Sequence, residues 1–369
     1  MTAPSPPFRA EHVGSLLRPA ALKHSFQQYR EGRIDAAAYE SALTEAIRGA
    51  VRAQEDAGLQ SITDGELGRN SWFGFFFERM DGFRLEPASF RFRDEQGGSY
   101  EWPTCYACAR VKRRGAIAVG EQQRLASLTR RTPKMTLPAP SAFHFFRFHA
   151  PADRAVYADD EAYWDDLVAV YRAEIAALGA AGCRYLQLDE VPLAMLCDPL
   201  IREKVRGLGG EPNALVAKYI EVLQRILAER PASMTVGLHL CRGNFRSRWM
   251  ASGGYEPVAE RLFNDTPVDA FFLEYDSERA GDFSPLRWLP AGKQVVLGLV
   301  STKRAALESA DELRRRIDAA ARHVPMERLA LSPQCGFASV AGGNLLTEEE
   351  QSAKLRLVVD VAQSAWGSA

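Results

Sequence analysis

In Gly237-Leu238-His239-Leu240-Cys241-Arg242-Gly243-Asn244 an imidazole and a thiol stand two residues apart. They close the run Thr235 to Cys241, whose apolar residues read as a buried strand. Residues i and i+2 of a strand face the same side, so His239 and Cys241 emerge together at its C-terminal end. Two further donors end similar runs. Glu274 follows Phe271-Phe272-Leu273, and Cys335 follows Leu329-Ala330-Leu331-Ser332-Pro333-Gln334. A carboxylate after Phe-Phe-Leu is costly if it is buried without a partner. One nitrogen, two sulfurs and one oxygen form a mixed donor set that suits tetrahedral zinc better than magnesium or calcium. A plainer reading is a hydrogen-bonded histidine beside thiols buried as small hydrophobes. Spacing alone leaves both open.

Such donors need a scaffold that brings strand ends together. Strand-like and helix-like segments alternate along the 369 residues. The strand candidates are Arg9 to Ser15, Ser61 to Glu66, Lys134 to Pro138, Arg184 to Glu190, Thr235 to Cys241, Asp269 to Glu274, Val295 to Val300 and Leu329 to Cys335. Helices are expected over residues 36–57, 159–181, 212–229 and 347–365. The first carries Tyr39, Leu43, Ile47 and Val51 at spacings of four, with Gly58 as its stop. The second carries a stripe of Trp164, Leu167, Val168, Tyr171, Ile175 and Leu178. This alternation predicts an α/β protein, a (β/α)8 TIM barrel, with a doubly wound sheet as the competitor. Barrel enzymes do their chemistry at the C-terminal ends of the strands. Ser15, Glu66, Asp189, His239, Cys241, Glu274 and Cys335 all fall there.

Residues 1–369 are therefore expected to form a single catalytic barrel. Residues 70–133 break the rhythm and are expected to be an insertion or lid after the second strand. They are rich in Phe, Arg and Gly, with a hairpin-like stretch around Glu95-Gln96-Gly97-Gly98. Their Cys105 and Cys108 form CYAC. No second CxxC accompanies it, so two structural thiols are expected rather than a redox pair or half a zinc site.

Composition excludes several function classes. The formal net charge is −1, and apolar residues make up 46% of the chain, so nothing favours nucleic acid or an anionic membrane as partner. The longest apolar runs are too short to span a bilayer. The N-terminus, MTAPSPPF, lacks the pattern of a signal peptide. A cytoplasmic protein is expected, with its six cysteines as thiols or ligands rather than disulfides.

Six motifs in one order, VGSLLRP (13–19), DGELGRN (64–70), LQLDE (186–190), HLC (239–241), FFLEYD (271–276) and SPQCGF (332–337), resemble the catalytic C-terminal half of cobalamin-independent methionine synthase. The resemblance spans nearly the whole chain. It implies a (β/α)8 barrel whose Zn2+ binds the thiol of homocysteine. By motif match the ligands are His239, Cys241, Glu274 and Cys335. Glu66 and Asp189 match carboxylates that receive the substrate's amino group, and the Gly14-Ser15 backbone matches the element that holds its carboxylate.

Three departures concern the methyl donor. The full-length enzyme's N-terminal barrel, which helps bind polyglutamylated folate, finds no room in 369 residues. The segment from Ala139 to Phe146 has Phe where that family has tryptophan. Lys303 falls where the family carries an acid histidine, and an amine with a reference pKa of about 10.4 is a poorer acid unless shifted. Lys303 and, before Gly14-Ser15, His12 are the candidate catalytic groups. His12 has a structural reading too. His144 and His149 are expected to pack, and the arginines of residues 242–248 are expected to be solvated unless they meet an anionic substrate.

The expected activity is zinc-dependent S-methylation of homocysteine to methionine. The partners would be a small-molecule thiol and an alkyl donor, either methyltetrahydrofolate or a methylcorrinoid protein. The alternative in the same family is joining coenzyme M to epoxides. Its sulfonate would want cations where Glu66 and Asp189 sit, though Lys303 and Arg242 keep it open. A third reading is a non-catalytic, zinc-stabilised barrel that binds a thiol or a partner protein.

Overall fold

Apolar stripes spaced for helices alternate with apolar runs spaced for strands, and the chain folds accordingly. The computed structural model describes residues 6–94 and 97–369. Helices α1 (Ala20–Arg30) and α2 (Ala36–Asp56) come first. Asp35 caps α2 by accepting a hydrogen bond from the Ala38 amide, and Leu43, Ile47 and Val51 face inward. Strand β1 (Ser61–Ile62) follows. Next come α3 (Gly74–Phe77), β2 (Met80–Pro87), β3 (Phe92–Arg93), β4 (Ser99–Tyr100), β5 (Pro103–Arg113) and α4 (Val119–Leu128). Strands β6 (Thr132–Pro133) and β7 (Met135–Pro138) lead to α5 (Asp160–Ala180) and β8 (Tyr185–Asp189). Then α6 (Val191–Met195), α7 (Pro199–Gly207) and α8 (Pro212–Leu227) precede β9 (Thr235–Leu240). The chain ends with α9 (Glu256–Asp265), β10 (Ala270–Glu274), β11 (Gln294–Val300), α10 (Ala310–Ala321), β12 (Leu329–Pro333) and α11 (Glu348–Trp366).

The result is an α/β fold with a parallel sheet. Strands β7 to β12 pair in chain order, each parallel to the next. Their residues are almost all buried, as in parallel sheets covered on both faces. Register sets the later chemistry. Asp189 pairs across from His239, and Glu274 lies opposite Gly298. A Cβ at Gly298 would meet the Leu273 carbonyl oxygen and Gln334 Cα at 2.8 Å. Only glycine lets the chain before Cys335 approach so closely.

Two expected strands are shorter than the sequence suggests. Of residues 9–15, Ala10 alone bridges β12, parallel and opposite Leu331, with Glu11 N donating to Leu331 O at 2.9 Å. Of residues 61–66, only Ser61 and Ile62 are strand, paired in parallel with β6. Beyond them backbone pairing gives way to polar side chains. Thr63 Oγ1 donates to Gly14 O at 2.6 Å, and Leu16 N donates to Gly65 O at 2.9 Å.

Between β1 and β6 the chain makes separate antiparallel pairs, β2 with β5 and β3 with β4. Glu95 and Gln96, the tip of the expected hairpin, lie outside the described residues. Cys105 and Cys108 sit three apart on β5, hence on opposite faces, and both are free thiols. No helix among the described residues is long and apolar enough to cross a membrane.

Candidate metal and substrate site

His239, Cys241 and Cys335 converge. Their ligand atoms lie within 4.8 Å of one another, and all three residues are buried. Strand β9 supplies His239, the residue just past its end is Cys241, and the turn after β12 supplies Cys335. Both imidazole nitrogens of His239 lack a hydrogen-bond partner. Buried polar atoms rarely go unpaired, so the orphaned ring beside two thiols fits a metal. One nitrogen and two sulfurs are donors that zinc favours.

The turn carrying Cys335 is held from several sides. Asn244 Nδ2 donates to Gly336 O at 2.9 Å. Thr302 Oγ1 donates to Gln334 Oε1 at 2.6 Å. A Cβ on Gly336 would fall 1.9 Å from Ser15 Oγ, so glycine is what lets Ser15 sit against this turn. Phe337 N donates to Ser15 O at 2.9 Å.

Proximity changes the thiols. Contact with Cys241, then His239 and the charge of Lys303, holds the Cys335 thiol well below its ordinary value despite burial. The Cys241 thiol, donating to Cys335 and buried, is pushed well above its own. The two shifts have one cause: a proton kept between the sulfurs makes one thiol easier to ionise and the other harder. Burial alone would lower the His239 pKa, yet Cys335, Asp189 and Glu274 hold it above the ordinary value. Asp189 is pushed up to about 7, chiefly by burial, with Glu66 and Cys335 adding to the shift and His239 opposing it.

Glu274 is not in the tight group. Its Oε2 accepts from the Arg242 amide at 2.6 Å, and its Oε1 lies 3.6 Å from Lys303 Nζ. Neither Oε1 nor that Nζ has a hydrogen-bond partner. Burial would lower the Lys303 pKa, but Glu274, Asp276 and the two thiols raise it above the ordinary amine value. Lys303 lines a different, polar cavity with Arg246, Arg248 and Arg279. His12 does not line the cavity beside the thiols, and its Nε2 lies 3.1 Å from Ser61 O.

A cavity of about 270 Å³ lies over the trio, lined by His239, Cys241, Cys335, Ser15, Glu66 and Asp189. Gly14 stands behind Ser15 and does not line it. Glu66 has φ +56°, a conformation that costs a non-glycine residue and persists where the surroundings enforce it. Its Oε1 accepts from Thr136 Oγ1 at 2.6 Å and lies 3.4 Å from Arg69. Gln187 Nε2 donates to Asp189 at 2.8 Å. The outer wall comes from residues 70–133, with Trp72, Phe73, Phe92 and Trp102.

Arg242 and Arg69 are the residues that sequence reasoning missed. Arg242 is fully buried, and its guanidinium donates to Gly253 O at 2.9 and 2.6 Å. It is a brace, not a solvated loop residue. Arg69, also buried, donates to Thr136 Oγ1 at 2.8 Å and to Glu121. Their only sequence signal is position, directly after HLC and within DGELGRN. His144 packs as expected, with Nδ1 3.0 Å from the Tyr219 hydroxyl.

A family profile described as the catalytic domain of cobalamin-independent synthase matches residues 8–364. The chain belongs to this cobalamin-independent synthase family. Within it, the chain is 41% identical over 368 residues to YxjH of Bacillus subtilis (strain 168), an uncharacterized protein, covering 98% of this chain and 95% of that one. A methionine synthase of Pyrococcus furiosus is 24% identical over 331 residues, 88% of this chain and 85% of that protein. The crystal structure of a putative vitamin-B12 independent methionine synthase from Listeria monocytogenes superposes with a TM-score of 0.77 at 31% identity, covering 98% and 99% of the two chains.

Proposed function

We propose that this protein is a zinc-dependent thiol methyltransferase that converts homocysteine to methionine. One observation carries the reading. The orphaned His239 ring, Cys241 and Cys335 share a cavity with Ser15, Glu66 and Asp189. His239, Cys241 and Cys335 would hold the zinc, which when bound supplies a Lewis-acidic centre that keeps a thiol deprotonated near neutral pH. Glu66 and Asp189 would accept hydrogen bonds from the substrate ammonium. Ser15, pinned against the Cys335 turn, would position its carboxylate. Three donors leave a fourth position, which a catalytic site keeps open for substrate; Glu274, whose Oε1 faces Lys303 at 3.6 Å without a hydrogen bond, is the protein group that would compete for it.

We read the fold as an eight-stranded barrel, with residues 9–16 filling the place between β12 and β1. Residues 70–133 are then an insertion roofing the cavity. Coenzyme M fits less well, because among the described residues no lysine or arginine lines this cavity to meet a sulfonate.

The test is the visible spectrum of the Co2+-substituted protein, titrated with L-homocysteine and separately with coenzyme M. A sulfur-to-cobalt charge-transfer band that grows only with homocysteine is expected. A band growing only with coenzyme M moves the assignment to the epoxide-opening reaction, and no change with either thiol removes the transferase reading. Cys335→Ala should reduce zinc content to background and abolish turnover. Unchanged zinc content would remove Cys335 from the site.

A further inference from the structure

The wall of the cavity facing the trio has a composition that selects among methyl donors. It carries Trp72, Phe73, Phe92, Trp102, Phe146 and Phe245. These rings form one connected group around Trp102. Trp102 meets Phe146 edge-on at 4.6 Å, Phe92 at 5.7 Å and Phe73 at 5.9 Å, and Phe92 meets Phe245 at 5.1 Å. Among the described residues, the charged ones that line the same space are Glu66, Glu78 and Asp189, and no lysine or arginine joins them. The nearby cations are spent elsewhere. Lys303 faces Glu274 and the polar cavity, and the Arg242 guanidinium is bonded to Gly253 O.

Aromatic faces around a compact cation attract it through their quadrupoles, and quaternary onium groups are the ligands such cages hold best. Carboxylates nearby strengthen the preference, and an anionic donor finds no counter-charge there. An onium donor also makes no demand for a general acid, because its leaving group departs neutral.

We propose that the methyl donor is a methylated onium cation, a sulfonium or quaternary ammonium compound, seated in the Trp102 cage. This rests on the thiol-methyltransferase reading above and names its second substrate. The balance closes without a general acid. The thiolate lone pair of homocysteine forms the new S–CH3 bond. The pair of the breaking bond stays on the donor's sulfur or nitrogen, which departs as a neutral thioether or amine. No proton and no redox partner are required.

The experiment uses the zinc-loaded full chain. Binding of trimethylsulfonium and tetramethylammonium is followed by tryptophan fluorescence. Choline is compared with its neutral isostere 3,3-dimethylbutan-1-ol. Transfer to homocysteine is read by mass spectrometry with S-methylmethionine, trimethylsulfonium, glycine betaine, methyltetrahydrofolate or methylcob(III)alamin as donor. The expected result is saturable onium binding, at least tenfold tighter for choline than for its isostere. Methionine should form from an onium donor, with the active one deciding between sulfonium and ammonium. Trp102→Leu and, independently, Phe245→Leu should each weaken onium binding at least tenfold while the homocysteine–cobalt band persists. Turnover with methyltetrahydrofolate or methylcob(III)alamin alone overturns the proposal, as does onium binding without transfer. A missing homocysteine–cobalt band is a separate failure, that of the underlying reading.

Discussion

Glu274 has two possible partners, and Lys303 decides between them. The carboxylate ends β10 fully buried, with its Oε2 on the Arg242 amide and its Oε1 toward Lys303 at 3.6 Å. A fourth metal ligand would have to leave that ammonium. Lys303 stays charged, because burial is outweighed by Glu274, Asp276 and the thiols. Replacing it with Met removes the competitor at similar volume. Two opposite effects should follow for Lys303→Met. Without metal, Glu274 is left as an uncompensated buried charge, and stability should fall by about 3–5 kcal/mol. With zinc, the freed Oε1 can reach the metal, and affinity should rise roughly tenfold, the scale on which groups behind the ligands act. Chelator competition and urea unfolding with and without zinc measure both. Equal affinity in the two proteins would show that Glu274 has no call on the metal.

At the scale of elements, the end of β9 and the loop after it are built as one piece. His239 and Cys241 leave the strand on the same side, and the next residue, Arg242, turns back as a brace. Its guanidinium meets Gly253 O, the Tyr255 hydroxyl at 3.2 Å and Glu274 O at 3.3 Å. Arg242→Met keeps the backbone amide that holds Glu274 but removes every one of these bonds. The expected cost is about 3 kcal/mol, because the charge-assisted bonds of a buried guanidinium are lost, those to the half-buried Gly253 carbonyl included. Zinc affinity should weaken too, since Cys241 directly precedes the brace. A denaturant midpoint that shifts equally with and without zinc would place the brace outside the metal site. The elements also show what could be read in the sequence. Strands β7 to β12 were legible as mainly apolar runs, because burial on both faces leaves few polar interruptions, Thr136, Gln187 and Ser332 among them. The pair at 9–15 and 61–66 was legible as to place but not as to form, because side chains such as Thr63 replace backbone pairing there. Candidate donors stood out at strand ends. Arg242, Asn244 and Arg69 did not, since their partners, Gly253, Gly336 and Thr136, lie many residues away. The diversion of Glu274 was hidden for the same reason: nothing local pairs residue 274 with residue 303.

The whole molecule is tied together where the chain's first segment meets the middle of the fold. Lys134, between β6 and β7, and Glu11 are both fully buried, and Lys134 Nζ lies 3.1 Å from Glu11 Oε2. The same ammonium donates to His12 O and lies 5.4 Å from the Tyr185 ring centroid and 4.9 Å from that of Phe272. Glu11 in turn accepts from Ser61 Oγ at 2.7 Å, the Tyr185 hydroxyl at 3.0 Å and Phe8 N at 3.1 Å. One ion pair thus joins the opening segment, β1, the β6–β7 run, β8 and β10. Such a pair is a poor source of net stability, because desolvation offsets most of the attraction, but breaking it strands a charge. Lys134→Met and Glu11→Leu should therefore each cost about 3–5 kcal/mol. In Glu11→Leu/Lys134→Met both charges are gone and the volume is kept. Its cost should fall short of the summed single costs by about 2 kcal/mol or more, a coupling of the size that contacting residues show. The loss should appear as a lower urea midpoint at unchanged slope, because the same surface is exposed on unfolding. A double mutant whose cost equals the sum would mean that each residue acts through its other bonds. The join between the first segment and the sheet would then rest on the backbone contacts at Ala10 and Leu331 and on hydroxyls such as Ser61 and Tyr185.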